Sequence, residues 1–301
     1  MTVSVVIPVY NTVCYVAEAI ESILAQTFPD FELIVIDDGS TDGCGEILSR
    51  YAIRDPRVRI IHRENRGIVA SRNEGIALAS GEFLAVLDSD DVALPGRLAL
   101  QLAYLKDHPD CVAVGGSALV IDSAGDTICT WRFPCTHDEL DALNLVNDQR
   151  MLHSSLTMRR EVVRNLLGYR EEAETAEELD LLLRMGEVGQ LANVPEVVVK
   201  YRRHGDSVSH ARRARQVLAS HFAIQDARRR RAMVDLETRV SSASRPPSRA
   251  ENHRQWAWWA LGESNFAAAR NHARKAVRSG PLDLESWRVF FHAMRGRRRA
   301  D

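Results

Sequence analysis

Four short apolar runs set the terms for this chain: Val3-Ser4-Val5-Val6-Ile7-Pro8-Val9-Tyr10, Phe31-Glu32-Leu33-Ile34-Val35-Ile36, Val58-Arg59-Ile60-Ile61 and Phe83-Leu84-Ala85-Val86-Leu87. Their length and β-branched content suit strands, several of them buried on both faces. Helical patterns separate them, for example Val16, Ala19, Ile20, Ile23 and Leu24. Such alternation calls for a parallel sheet covered by helices on both faces, with ligands held outside the carboxyl ends of the strands. Pro8 has no ladder donor and is expected to end the first strand.

Three of those strand ends carry polar chemistry: Tyr10-Asn11, Asp37-Asp38-Gly39-Ser40-Thr41-Asp42 and Asp88-Ser89-Asp90-Asp91. In the last, three carboxylates within four residues repel one another unless a cation sits among them. A hard divalent ion such as Mn²⁺ or Mg²⁺ is the natural partner, since it takes carboxylate oxygens and keeps positions open for phosphates. The plainer alternative is an acidic turn before a helix that has Pro95 in its first turn. Two acidic clusters converging on one crevice favour the ligand.

Beyond Gly116 the regularity falls. Ala118 to Ile121 and Thr127 to Trp131 suggest a hairpin, His153-Ser154-Ser155 precedes a strand-like Leu156-Thr157-Met158, and Glu177 to Met185 reads as a helix that opens with acids. Val194 to Tyr201 is strand-like and leads into the polar Tyr201-Arg202-Arg203-His204-Gly205-Asp206-Ser207-Val208-Ser209.

With 301 residues, the chain is long enough for one large domain or two smaller ones. Its net charge of -2 conceals an asymmetry: residues 1–210 carry 19 Lys/Arg against 33 Asp/Glu, and residues 211–301 carry 20 against 8. We therefore expect a domain over 1–210 and a basic extension over 211–301 able to meet an anionic surface or a protein partner. That extension reads as a helix over Arg212 to Val234, a linker at Ser241 to Ser248, a tetratricopeptide-like helix pair around Trp256 to Pro281, and a third helix at Leu284 to Met294. Trp256, Trp258 and Trp259 are expected in a core, the alternative being anchors at a membrane interface. No nucleic-acid motif accompanies the arginines, so nucleic acid is not an expected partner. Five scattered cysteines without CxxC spacing argue against a disulfide framework or a zinc site and suit a reducing compartment. No run nears the ~18 apolar residues of a membrane span, and no signal-peptide pattern is seen. The expected location is cytoplasmic, with a peripheral position at the inner face of the membrane open to it.

Taken in order, Val5 to Asn11, Gln26-Thr27-Phe28, Val35 to Asp42, Asn65-Arg66-Gly67, Ala70 to Gly75, Leu87 to Asp91, Glu177 to Asp180 with Arg184, and Tyr201 to His204 with Ser207 and Ser209 resemble the motifs of family 2 glycosyltransferases. The resemblance spans roughly residues 3 to 209. It implies an α/β GT-A (Rossmann-like) fold, a mixed, mostly parallel sheet flanked by helices, here followed by a C-terminal all-α region. It also implies transfer, with inversion, from a nucleotide-sugar donor, most often a UDP-sugar, to an acceptor hydroxyl of a polysaccharide, glycolipid or glycoprotein. By motif position Asp37 or Asp38 would hold the base, Pro8 and Tyr10 would line its pocket, and Asp88 would face the ribose or sugar. Asp90 would ligate Mn²⁺ or Mg²⁺ with Asp91 nearby. Arg72 and Arg203 either reach phosphates or form surface ion pairs. His204 either meets metal or diphosphate or packs locally. The usual Glu-Asp pair of the late helix reads Glu177-Glu178 here. Glu178 is the expected base, its carboxylate one methylene further out; otherwise it is a helix-terminal charge. The competing function is a non-catalytic nucleotide-sugar-binding or scaffold protein.

Overall fold

The computed structural model describes residues 1–204, 213–233 and 247–296. The chain divides into two compact units, one of Met1–Ala118, Arg132–Lys200 and Arg215–Ser241, the other of Leu119–Trp131, Tyr201–Ala214 and Ser242–Asp301. The expected division at residue 210 lies outside the described residues.

The first unit is built on strands β1 (Val3–Val9), β2 (Phe31–Asp37), β3 (Val58–His62), β4 (Phe83–Val86), β5 (Val92–Ala93), β6 (Cys111–Ile121), β8 (Thr157–Arg159) and β9 (Gln190–Arg202), in the order β3-β2-β1-β4-β8-β6-β9-β5. β7 (Thr127–Trp131) pairs with β6 off that path. From β3 to β4 every pairing is parallel. The β4–β8, β6–β8 and β5–β9 pairings are antiparallel, so the sheet is mixed. Helices α1 (Val16–Leu24), α2 (Cys44–Arg54), α3 (Ile68–Leu78), α4 (Arg97–Asp107), α5 (His137–Asn144), α6 (Arg160–Asn165) and α7 (Glu177–Met185) flank it.

Pro8 does not end its strand: β1 continues to Val9 with Pro8 opposite Ile36. Polar groups along a strand alternate between its two neighbours. Leu87 N donates to Val6 O on the β4 side, and Asp38 N donates to Val9 O on the β2 side. Pro8 therefore faces the β4 side, where pairing stops at Val6–Val86, and its missing N–H leaves no ladder bond unmade.

Helix α3 lies close on β1 because position 75 is glycine; a Cβ there would stand 2.3 Å from Val6 Cγ1. This approach brings the next turn back, at Arg72, to the strand ends.

Helix α8 (Arg213–Arg230) belongs to the first unit, where Ala223, Ile224 and Ala227 pack with Leu179 and Leu183 of α7. Arg230 at its end and Arg231 just after it are paired with acids of that unit. Arg230 pairs with Glu187 at 2.7 Å, and Arg231 meets Asp141 at 2.5 Å and Glu187 at 3.2 Å.

The second unit joins the hairpin at the end of β6 to helices α9 (Arg249–Gly262), α10 (Phe266–Ser279) and α11 (Leu284–Arg295). Ser248 caps α9 in a reciprocal capping box with Glu251. Trp256 is buried in a core with Val120, Ile128, Ala269 and Val289, and Trp258 and Trp259 pack against it.

Under the hairpin turn, Asp122 Oδ1 accepts the amides of Ala124 and Asp126 at 2.9 and 3.1 Å, and Oδ2 accepts Lys275 Nζ at 3.3 Å. His272 Nε2 faces the same oxygen at 3.7 Å, while its Nδ1 lies 3.3 Å from His253 Nδ1. Burial, reinforced by Lys275 and for His253 also by Arg249, pushes both imidazoles down to about 4 against the pull of Asp122. The unfolded chain therefore binds more protons between the ordinary value of 6.5 and about 4. The contribution is full above 6.5 and is lost as pH falls toward 4. Urea unfolding followed by tryptophan fluorescence should show this decline, and His272→Gln should flatten it. An equal slope in the variant would show that other groups set the acid dependence.

Candidate active site

The parallel order β2-β1-β4 places the carboxyl ends of those strands side by side. Asn11, held at φ 53°, ties the first two loops together; its Oδ1 accepts Thr41 N at 2.8 Å and its amide donates to Ser40 Oγ at 3.1 Å. Tyr10 is 52% exposed there, above a buried Pro8. Asp37 Oδ1 accepts Ser40 N at 3.0 Å, and Oδ2 lies 2.9 Å from His62 Nδ1. Asp38 is buried and accepts Arg63 Nε, Arg66 N and Gly67 N at 2.8, 2.9 and 2.8 Å. Both carboxylates thus shape the loop floor, and Asp38 in particular clamps the turn that starts α3.

Arg72 is the hub of the crevice. Only 4% exposed, it reaches Glu177 Oε1 at 2.6 Å, Asp88 Oδ1 at 3.2 Å and Glu178 Oε1 at 3.4 Å, and its guanidinium lies over the Tyr169 ring at 5.5 Å. The sequence reading offered Arg72 a phosphate or a surface pair. The structure gives it a buried role, holding three acids in one place.

The neighbouring residue on α3 positions the other wall. Asn73 Nδ2 donates to Tyr169 O at 2.8 Å and Tyr169 N donates to Asn73 Oδ1 at 2.9 Å. Tyr169 Oη in turn meets His153 Nε2 at 2.7 Å. His153 Nδ1 is buried without a hydrogen-bond partner and faces Asp88 Oδ1 at 3.6 Å. One donor atom from each of Asp88, His153 and Glu178 lies within 4.8 Å of the others. Sequence reasoning gave His153 little weight and Tyr169 none; the one available signal was a histidine placed directly before a strand.

Electrostatics separates the acids. Burial pushes the Asp88 carboxyl up, but His153, Arg72 and Ser154 pull harder and hold it well below the usual range. For Glu178 burial dominates, with Glu177 and Asp88 adding to it against His153 and Arg72, and its value rises. Neighbouring acids with values driven apart are the pattern by which one site holds a fixed charge beside a proton acceptor. Glu178 keeps 33% of its side chain exposed, so a substrate can reach it.

Asp91 N closes a turn onto Asp88 O at 3.1 Å, and the Asp91 side chain is buried beside Arg97. Asp90 is half-buried in the same turn. Arg203 and His204 belong to the second unit. There Arg203 N donates to Ile121 O at 2.9 Å and the guanidinium lies over the Tyr201 ring at 6.0 Å. Ser207 and Ser209 lie outside the described residues.

The family model for glycosyl transferase family 2 matches residues 4–167, more than half of the chain. The chain belongs to glycosyl transferase family 2. Among curated relatives of this glycosyltransferase, an uncharacterized glycosyltransferase of Haemophilus influenzae is 33% identical over 218 residues, 69% of this chain and 67% of that protein. Glycosyltransferase GlyG of Streptococcus pneumoniae is 40% identical over 114 residues, 38% of each chain. Chondroitin synthase of Escherichia coli is 30% identical over 209 residues, 69% of this chain and 30% of that one. The chain thus spans about a third of the length of the last two relatives. Among solved structures, S. aureus TarS with UDP-GlcNAc matches at TM-score 0.55 and 18% identity, covering 97% of this chain and 79% of that one. Mannosyltransferase PcManGT from Pyrobaculum calidifontis, with GDP-Man and Mn²⁺, matches at TM-score 0.55 and 21% identity, again over 97% and 79%. At such identities the likeness shows the GT-A fold alone.

The glycosyltransferase's own residues fit a hard divalent cation. Two carboxylates and an imidazole are a suitable donor set. A buried Nδ1 without a partner, aimed at a carboxylate, is costly unless a proton or cation lies between them. That cluster contains neither Asp90 nor His204, the ligands expected from the sequence.

Proposed function

We propose that this glycosyltransferase moves a sugar from a UDP-sugar to an acceptor hydroxyl of a polysaccharide, glycolipid or glycoprotein, with inversion and with Mn²⁺ or Mg²⁺ bound. The observation that carries this reading is the Arg72-centred cluster, which sets an ionised Asp88 beside a reachable Glu178 of raised pKa.

In the proposed step the acceptor oxygen attacks the anomeric carbon as the bond to the diphosphate oxygen breaks on the opposite face. Its proton passes to Glu178, and UDP leaves with the bonding electron pair. Asp88 faces the donor's ribose or sugar, with Asp37 or Asp38 at the base and Pro8 and Tyr10 lining its pocket. Asp88 and His153 would hold the cation, with Asp90 taking the place of Glu178, whose carboxylate is then left for the acceptor; the cation supplies positive charge to the leaving diphosphate. Glu178 is left for the acceptor because the other acids at the start of α7 are neutralised. Glu177 is bound to Arg72 at 2.6 Å, and Asp180 accepts Arg184 Nη2 at 2.7 Å as well as Arg170. We place the enzyme in the cytoplasm, with a peripheral position at the inner face of the membrane open to it. No helix among the described residues is long and apolar enough to cross a membrane.

The test is UDP release from a panel of UDP-sugars with Mn²⁺, Mg²⁺ or a chelator. No UDP release from any donor would favour the scaffold function. Asp90→Asn, which removes one anionic ligand at constant size, should weaken Mn²⁺-dependent UDP binding at least about tenfold. Unchanged affinity would remove Asp90 from the metal.

A further inference from the structure

Helix α11 has two apolar faces, and among the described residues only one of them is packed into a core. Val289 and Ala293 are buried in the core of the second unit, and Phe290 packs against it. Leu284, Trp287, Phe291 and Met294 recur at the helix period on another side, where they are 82%, 38%, 53% and 44% exposed. Leu282, in the preceding turn, is 94% exposed. Single exposed hydrophobic residues need no explanation, but a continuous row does.

Two details specify what the row fits. Trp287 Nε1 donates to Pro281 O at 2.8 Å, so its indole already has a hydrogen-bond partner and can leave water without losing one. Its ring neighbours Phe291 at 6.2 Å, giving one aromatic surface. Arg288 and Arg295 flank the row and are exposed, and Arg297-Arg298-Arg299 follow in the sequence. Arg288 shares a loose pair with Glu285 at 3.5 Å, both more than half exposed, a contact of little worth. Arg230 and Arg231, at and just after the end of α8, are already matched to acids, whereas Arg288 and Arg295 stand exposed beside the apolar row of this helix.

We propose that this face of α11 seats on an anionic lipid surface, the apolar row entering the boundary between headgroups and acyl chains and the flanking arginines meeting lipid phosphates. A second protein copy fits less well, because the guanidinium groups on the two faces would confront each other. The inference rests on the transferase reading only for its purpose, which is to bring the active site to an acceptor carried on lipid.

The experiment uses the full chain with vesicles of phosphatidylglycerol or of phosphatidylcholine. Co-sedimentation with phosphatidylglycerol is expected at low salt, with loss at high salt. Trp287→Ser with Phe291→Ser should lower partitioning at least about tenfold, and Arg288→Glu with Arg295→Glu should abolish the preference for phosphatidylglycerol. These positions are exposed, so thermal melting should match the unaltered chain; if the first pair melts early, the arginine pair carries the test alone. Absence from phosphatidylglycerol vesicles at low salt overturns the proposal. So does unchanged partitioning of either double variant, or a dimer in solution that Trp287→Ser with Phe291→Ser dissolves while vesicles are ignored. UDP release measured without vesicles reads the transferase reading separately.

Discussion

Glu178→Gln should lower transfer by about 10²–10⁴-fold, the usual contribution of a general base, while leaving UDP binding within about twofold. Glutamine keeps the size of the side chain and still offers an oxygen to Arg72, so the crevice should hold its shape. What disappears is the acceptor for the hydroxyl proton. The same residue should govern pH dependence. Burial raises Glu178 above the ordinary glutamate value, and a base works only when deprotonated. The acid limb of kcat should therefore lie above the range of an ordinary glutamate. The measurements are UDP release in the presence of acceptor and calorimetric titration with UDP. Near-normal turnover would move the base to another carboxylate, although Glu177 and Asp180 are each held by arginine.

Arg72→Met should have the larger structural effect. Removing the one buried cation from Asp88, Glu177 and Glu178 strands three acids together, and breaking a buried pair in this way costs roughly 3–5 kcal/mol. In a unit of this size that is on the order of 10 °C in Tm. The deficit should shrink as pH falls, because protonating the stranded acids relieves their repulsion. Arg72→Lys, which keeps the charge but not the fork, should fall between. Thermal melts of the three proteins across pH test this. A methionine variant as stable as the unaltered chain at neutral pH would show that Arg72 is not the hub.

The parallel half of the fold was legible because its strands are contiguous apolar runs closed by acids, and local pattern is what such runs display. The strand ends at Tyr10, Asp37 and Asp88 were located from the same signal. The antiparallel half was legible as strands and a hairpin but not in its order: β8 is three residues long and lies between β4 and β6 through pairings far apart in sequence. The hub was equally hidden. Arg72 and Glu177 are separated by 105 positions, and nothing near either residue announces the other. His153 looked like an ordinary loop histidine until Tyr169 fixed one of its nitrogens. The tryptophans of α9 could be placed in a core from their spacing with small residues, whereas the outer face of α11 needed exposure, which sequence does not supply.

Strand β6 begins in the catalytic sheet and ends in the hairpin on which α9, α10 and α11 form their core. The helical unit is therefore not a caboose coupled to the end of an ordinary transferase. Its hairpin, ending at Trp131, interrupts the catalytic sequence well over a hundred residues before its first helix begins at Arg249. A lineage that lost those helices by a stop codon just after residue 241 would leave Val120, Ile128 and Cys129 facing water. Losing the unit cleanly requires two changes at separate places in the gene, so simple truncation is a poor evolutionary exit from this architecture.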